Sequence, residues 1–376
     1  MSSPADRADH RLPSLTGLRC FAALAVFVYH AVIGPRIFLQ PVFDDTTLFL
    51  FNAAGLNSIS FFFVLSGFGL AWSARRREPA TRFYWRRFLR IYPSHFVVCV
   101  LAIAAMLVTG ATFDLHHVPE AFLLLQPWLP DVASSFGVNG VTWSLGCQAV
   151  FYLTFPLLFP LVRRIAPNRL WAWTFGIVAL VFCVPLVASA MFPTGPPLIW
   201  LDMPAQQYWL VYMCPLSRLL EFVLGLLLAR IVRVGRFPAI RPWVAWVGLA
   251  LGYVISTFAA TSTYSLVAVN VIPVLLLIGS MAERDIQGKP SVASRPVVVW
   301  LGQLSFTFYL FHRIVLENVI GAFGFTYHWT VPAAIGAIAL SLAMTLLLAW
   351  NLSTAVEKPF YRRFGRSRAP VTPAPA

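Results

Sequence analysis

Residues Gly17–Ala31 read GLRCFAALAVFVYHA, an apolar run that carries two ionisable side chains, Arg19 near its start and His30 near its end. Eleven positions separate them. On a helix turning about 100° and rising about 1.5 Å per residue they share nearly one face and stand roughly 16 Å apart. One span thus carries a guanidinium at a membrane interface and an imidazole past mid-depth. Titratable groups are costly in hydrocarbon, roughly 2.5 kcal/mol or more for Arg at the centre, and usually mark a site or a pathway. A plainer role fits the same residues, with Arg19 reaching to headgroups and His30 hydrogen-bonded inside a bundle.

The rest of the chain sets that run in context. Of 376 residues, 59% are hydrophobic and 11% charged, against roughly 25% charged in an average soluble domain, which makes this a polytopic membrane protein. The formal charge of +14 would point to nucleic acid in a soluble protein, but its placement in alternate loops excludes that partner. Lys289 and Lys358 are the only lysines among 28 basic residues, a bias expected of GC-rich bacterial coding. The cysteines, Cys20, Cys99, Cys147, Cys183 and Cys214, fall in or beside apolar segments at unrelated spacings, so neither a disulfide framework nor a metal site is expected. The polar start, MSSPADRADHRLPS, has no small-residue cleavage site after the first apolar run, and no removable signal peptide is expected.

Ten runs are long enough to cross about 30 Å of hydrocarbon: 17–34, 48–73, 93–112, 141–162, 170–191, 209–229, 242–260, 263–282, 297–320 and 331–355. The fold class expected is therefore all-α, a bundle of about ten transmembrane helices. Arg75, Arg76, Arg77, Arg82, Arg86, Arg87 and Arg90 follow the second run, and Arg163, Arg164, Arg169, Arg230, Arg233, Arg236, Arg241, Arg284, Lys289, Arg295 and the tail from Lys358 to Arg368 continue the pattern. The alternate connections hold Asp44, Asp45, Asp114, Glu120, Asp131 and Asp202, with Arg36 their single basic residue. This alternation puts both termini and the arginine-rich loops in the cytoplasm, here of a bacterial inner membrane. Arg218 and Arg313 are left as intramembrane candidates. The expected organisation is a cytoplasmic segment 1–13, a membrane domain 14–363 and a disordered tail 364–376. The connection 111–140 is open to two readings, a cap of short helices over a site or a solvated loop.

Seven stretches occur in order: LTGLRCFAALAVFVYH, FFFVLSGFGLAWS, FYWRRFLRIYPSHF, TWSLGCQAVFYLTFPLL, LSRLLEFVLGLLLA, LGQLSFTFYLFH and VEKPFYRRF. Together, from about Leu12 to Arg363, they resemble the membrane-bound acyltransferase 3 family in its stand-alone form, which moves acyl groups from cytoplasmic acyl-CoA to hydroxyls of sugars, surface polysaccharides or glycosylated natural products. The resemblance implies that Arg19 and His30 are the family's basic residue and histidine eleven apart. It makes Arg87 and Arg90 the family's paired arginines, followed by Tyr92 and Pro93, and Trp143, Ser144 and Leu145 its Trp-Ser-Leu segment. The position usually held by glutamate is Gln148, which cannot exchange a proton or hold a charge. Either that glutamate is not needed here or the chain is altered at this point. The Arg218 and Glu221 pair, three apart on one helix face, and His312 also resemble family features.

Acyl transfer from a thioester to an alcohol needs a base for the hydroxyl, donors for the oxyanion and a hold on CoA. An imidazole is the natural base near neutrality, so His30 is expected to activate the acceptor for direct attack on acyl-CoA, with an acyl-histidine intermediate as a variant. Arginines recognise phosphate through forked, charge-assisted bonds; Arg87 and Arg90 share a helix face, and Arg19 can join them or steady the pantetheine end. The alternative for this cluster is topology and anionic lipid. Cys147 beside Gln148 is expected to be an inert buried thiol. Trp143 and Tyr152 suit packing, anchoring or the face of a sugar ring, and Arg218–Glu221 and Arg313–Glu317 read as ion pairs within the bundle. The acyl group is expected to be short, acetyl above all, and the acceptor a carbohydrate or glycosylated small molecule such as a macrolide. The thioester must then travel through a channel from the arginines to His30. Two rivals stand beside this reading: a proton-coupled transporter, which calls for Gly/Pro-broken helices in paired repeats that the sequence lacks, and a catalytically impaired family member.

Overall fold

The computed structural model describes residues 11–33, 45–74, 78–110, 114–198, 201–259, 262–323 and 329–365. The expectations placed on residues 1–10, Arg36, Asp44, Arg75–Arg77 and the tail beyond residue 365 lie outside the described residues.

Among the described residues, ten long helices stand at the ten expected spans: α1 (Pro13–Ile33), α2 (Asp45–Ser73), α3 (Ala80–Thr109), α4 (Trp143–Arg164), α5 (Leu170–Met191), α6 (Pro215–Arg233), α7 (Pro242–Phe258), α8 (Ala268–Ile286), α9 (Pro296–Gly321) and α10 (Val331–Leu352). Among the described residues, eight helices are long and apolar enough to cross a membrane; the apolar parts of the other two, Asn57–Ser73 of α2 and all of α7, are shorter. The only strands described are the two-residue and four-residue arms of a hairpin, Pro197–Leu198 and Leu201–Pro204. The fold is an all-α polytopic membrane bundle. Its outer faces expose Leu157, Phe175, Leu186, Phe258 and Leu347, as a surface solvated by lipid requires.

The centre is built from α1, α2, α6 and α9. Without hydrophobic pressure between helices in lipid, close approach of backbones supplies the packing, and glycine makes it possible. A Cβ on Gly67 of α2 would lie 2.0 Å from the Phe222 carbonyl of α6, and one on Gly225 of α6 would lie 2.0 Å from the Val64 carbonyl of α2. Asn270 of α8 donates to Asn57 of α2 (2.7 Å) and to Ser256 of α7 (3.0 Å), tying three helices together through one amide. At the basic end the first turn of α1 is fixed by Asp285: the Ser14 backbone N–H and hydroxyl both donate to its carboxylate, at 2.9 and 2.5 Å.

Three local features differ from the simple span pattern. Helix α3 begins at Ala80 and runs unbroken through Pro93, so Arg82, Arg86, Arg87 and Arg90 belong to the span itself and not to a separate helix. Before α6 the chain turns through Ala205–Tyr208 and a wide π-turn, Trp209–Met213, and Cys214 leaves helical geometry (φ −59°, ψ 123°). Pro215 causes this, since its ring disfavours helical geometry in the residue before it. The connection after α3 forms short helices at His117–Leu123 and Val132–Phe136, and it folds over the bundle as a cap.

Candidate active site

Two cavities among the described residues bear on the expected site. The larger, about 630 Å³, has Arg19 of α1 and Arg86, Arg87 and Arg90 of α3 at its basic end and runs inward past Gln148 to Ser144. The smaller, about 230 Å³, holds His30, Trp143, Tyr208, Tyr212 and Arg313, under Phe136 and Gly140 of the cap. Ile59 and Tyr309 line both. Helix α1 therefore presents Arg19 to one cavity and His30 to the other, on the single face that their spacing dictates.

At the basic end the guanidiniums are unequally occupied. Arg86 pairs with Glu78 at 2.5 Å and Arg90 with the buried Glu357 at 2.6 Å. Arg87 lies over the rings of Phe83 and Tyr152, 5.4 and 5.6 Å from their centroids. Arg19 makes no hydrogen bond or ion pair with a described residue. The C-terminal helix Lys358–Phe364 crosses this end, with Tyr361 in the cavity wall and the Trp85 indole N–H donating to the Phe364 carbonyl at 3.1 Å. Four cations stand against two carboxylates at the opening, an excess of positive charge of the kind that attracts anions.

In the smaller cavity the histidine tautomers follow from one carbonyl. His312 Nδ1 lies 2.6 Å from the Tyr309 carbonyl, which can only accept, so that nitrogen carries the proton and His312 Nε2 is an acceptor in the neutral ring. His30 Nδ1 lies 3.0 Å from that Nε2 and 3.0 Å from the Val26 carbonyl. Both neighbours accept, so His30 Nδ1 donates and its Nε2 keeps the lone pair. No described residue bonds that Nε2. A chain from Tyr309 carbonyl to His312 to His30 thus orients an imidazole whose Nε2 no described residue bonds.

The remaining expected residues separate clearly. Gln148 donates to Ser66 Oγ at 2.6 Å and stays in the larger cavity, away from His30. Trp143 lines the cavity that holds His30, whereas its neighbour Ser144 lines the larger cavity and Tyr152 lies under Arg87. Arg218 and Glu221 pair at 3.1 Å, fully buried and lining neither cavity; the guanidinium sits 4.9 Å from the Phe63 centroid and 5.1 Å from that of Tyr212, between the two chambers. Cys147 donates to the Met213 carbonyl at 3.2 Å and faces neither cavity. Arg313 donates to Glu317 at 2.7 Å and covers Phe136. Sequence reasoning missed Tyr208, Tyr212 and Tyr309. Tyr309 alone left a signal, three positions before His312 on the same helix face.

A basic nitrogen that no described residue bonds stands in a cavity that shares Ile59 and Tyr309 with an arginine-lined one. A family model described as an acyltransferase domain matches residues 12–350. The chain belongs to the acyltransferase 3 family. It is 40% identical to acyltransferase MdmB of Streptomyces mycarofaciens, over 97% of this chain and 95% of that one. It is 27% identical to nodulation protein 10 of Rhizobium leguminosarum bv. viciae, over 91% of each, and 25% identical to the exopolysaccharide production protein ExoZ of Rhizobium meliloti, over 85% of this chain and 92% of that one. No solved structure matches the chain. This membrane protein is an acyltransferase.

Proposed function

We propose that this acyltransferase carries a short acyl group, acetyl above all, from acyl-CoA to a hydroxyl of a carbohydrate or a glycosylated small molecule such as a macrolide. The observation that carries the reading is that Ile59 and Tyr309 line both cavities, one opening among arginines and the other holding His30 Nε2, which no described residue bonds.

Arg19, Arg87 and Arg90 grip the phosphates of CoA through charge-assisted bonds. The roughly 16 Å from Arg19 to His30 along α1 is the reach of an extended pantetheine arm, which brings the thioester to the junction. His30 Nε2 takes the proton of the acceptor hydroxyl, and the alkoxide attacks the thioester carbon. The C–S bond then breaks, and the imidazolium returns its proton to the departing thiolate. The aromatic walls supplied by Trp143, Tyr208 and Tyr212 suit the face of a sugar ring. The relative named for exopolysaccharide production supports the same acceptor class. Because His312 orients His30 and Gln148 lies in the other cavity, the glutamate usual at that position is not needed to hold the base. By the distribution of basic loops the arginine end faces the cytosol of a bacterial inner membrane.

The test is transfer by the purified protein in nanodiscs, with labelled acetyl-CoA and a panel of methyl pyranosides and glycosylated macrolides. Acceptor-dependent thiol release, abolished by His30→Ala, is expected. Failure to bind acetyl-CoA, together with solute uptake by protein-containing vesicles, would replace the reading with that of a carrier.

A further inference from the structure

The step that remains without a partner in the described chemistry is the oxyanion. When the alkoxide adds to the thioester, negative charge gathers on the former carbonyl oxygen, and a buried site has to supply a donor there. If the donor arrives through the arginine-lined cavity and the base stands in the other, the thioester carbon lies at the wall the two share. Among the described residues, two line both cavities, and one of them, Ile59, has no polar atom in its side chain.

The other is Tyr309. Its hydroxyl donates to the Val141 carbonyl at 3.0 Å and lies 3.0 Å from Ser144 Oγ. Ser144 Oγ donates to the same Val141 carbonyl, also at 3.0 Å. Two hydroxyls thus share one carbonyl, whose two lone pairs accept both, so either can turn its proton away while the other keeps Val141 satisfied. The Tyr309 ring is held 5.3 Å from that of His312, and its backbone carbonyl accepts the His312 Nδ1–H. One residue therefore sets both the base, through its carbonyl, and the place where charge develops, through its hydroxyl.

We propose that Tyr309 is a catalytic residue of the transfer, its O–H turning from Val141 to the thioester oxygen as the tetrahedral intermediate forms, with Ser144 left on the Val141 carbonyl. This rests on the acyl-CoA reading above. The new C–O bond forms from the acceptor oxygen, whose proton goes to His30 Nε2. The carbonyl electron pair moves onto the oxygen bonded by Tyr309 and returns as the C–S bond breaks. The thiolate leaves with the proton from His30, and Tyr309 keeps its own proton throughout.

Tyr309→Phe keeps the ring against His312 and removes only the hydroxyl. With acetyl-CoA as donor, methyl pyranosides as acceptors and water as the background acceptor, kcat should fall by about 10²-fold or more, the usual cost of one oxyanion donor. KM for acetyl-CoA should stay within about twofold of wild type, since the donor acts in the transition state and not in binding. Fluorotyrosines placed at 309 leave packing almost untouched, and kcat should then vary with the acidity of the phenol. A Tyr309→Phe protein that is monodisperse and retains wild-type kcat, or a series of fluorotyrosines with one common kcat, would overturn the assignment. Wild-type protein with no acetyl-CoA-dependent thiol release would instead overturn the acyl-CoA reading on which it rests.

Discussion

Replacing His312 by phenylalanine tests the tautomer chain quantitatively. The ring of His312 stacks on Phe308, with centroids 6.2 Å apart and planes within 6°, so a phenyl ring occupies the same slot at little cost in volume. Two hydrogen bonds are lost: His30 Nδ1 to His312 Nε2 and His312 Nδ1 to the Tyr309 carbonyl. His30 Nδ1 retains the Val26 carbonyl, so the ring keeps its tautomer and loses one of two anchors. One neutral hydrogen bond is worth about 0.5–1.5 kcal/mol, which converts to roughly a 3- to 10-fold fall in kcat. His30→Ala should cost about 10²- to 10⁴-fold, the range for a lost general base. The assay is initial-rate thiol release in nanodiscs at saturating acetyl-CoA, across pH. In both wild type and His312→Phe the rate should fall on the acid side, because an imidazolium has no lone pair to accept the hydroxyl proton. A His312→Phe protein as inactive as His30→Ala would refute the supporting role and make His312 a direct participant. No change at all would show that Val26 alone orients the base.

Other expectations follow from the same geometry. Arg87→Ala removes a charge-assisted contact worth about 1.5–3 kcal/mol, so the affinity for acetyl-CoA measured by calorimetry should weaken roughly 10- to 100-fold with insertion unchanged; an unchanged affinity would return the cluster to topology and lipid contact. Gln148→Glu should alter kcat by less than about tenfold, since position 148 does not touch His30 and a base or oxyanion donor would move it by 10² or more; activity appearing only in the glutamate variant would mark the chain as impaired. Gly67→Ala puts a methyl 2.0 Å from the Phe222 carbonyl and should cost more than the about 1–3 kcal/mol typical of overpacking, seen as loss of monodisperse protein in detergent; a variant as stable as wild type would contradict the close packing of α2 on α6.

How much of this was legible in the sequence depends on whether a feature lives on one helix or between two. The ten helices follow from apolar length, a property of each segment alone, and the common face of Arg19 and His30 follows from helical pitch. Gln148 and Ser144, four apart on α4, reach the same cavity for the same reason. The places where local reading failed are backbone irregularities and cross-helix meetings. Pro93 marks a plausible helix start in one dimension, but the structure carries α3 through it. The turn before Pro215 brings Tyr208 and Tyr212 to the histidine, and nothing in an apolar run with tyrosines says which face a π-turn will present. Tyr309 reads as packing until the turn before α4 comes beside α9 and its hydroxyl meets Val141. The pairing of His30 with His312, 282 residues apart in sequence, is invisible to any window on the chain.

The central claim is that acyl-CoA enters among the arginines and delivers its thioester to the junction beside His30. The most direct test is the structure, by electron cryomicroscopy, of the protein with a non-hydrolysable acetyl-CoA analogue. The account predicts phosphate density against Arg19, Arg87 and Arg90, a pantetheine arm running past Gln148, and the acyl carbon between Tyr309 and the His30 ring. Density for the analogue outside the larger cavity, or an acyl group that ends on the arginine side of Ile59 with no opening to His30, would contradict it.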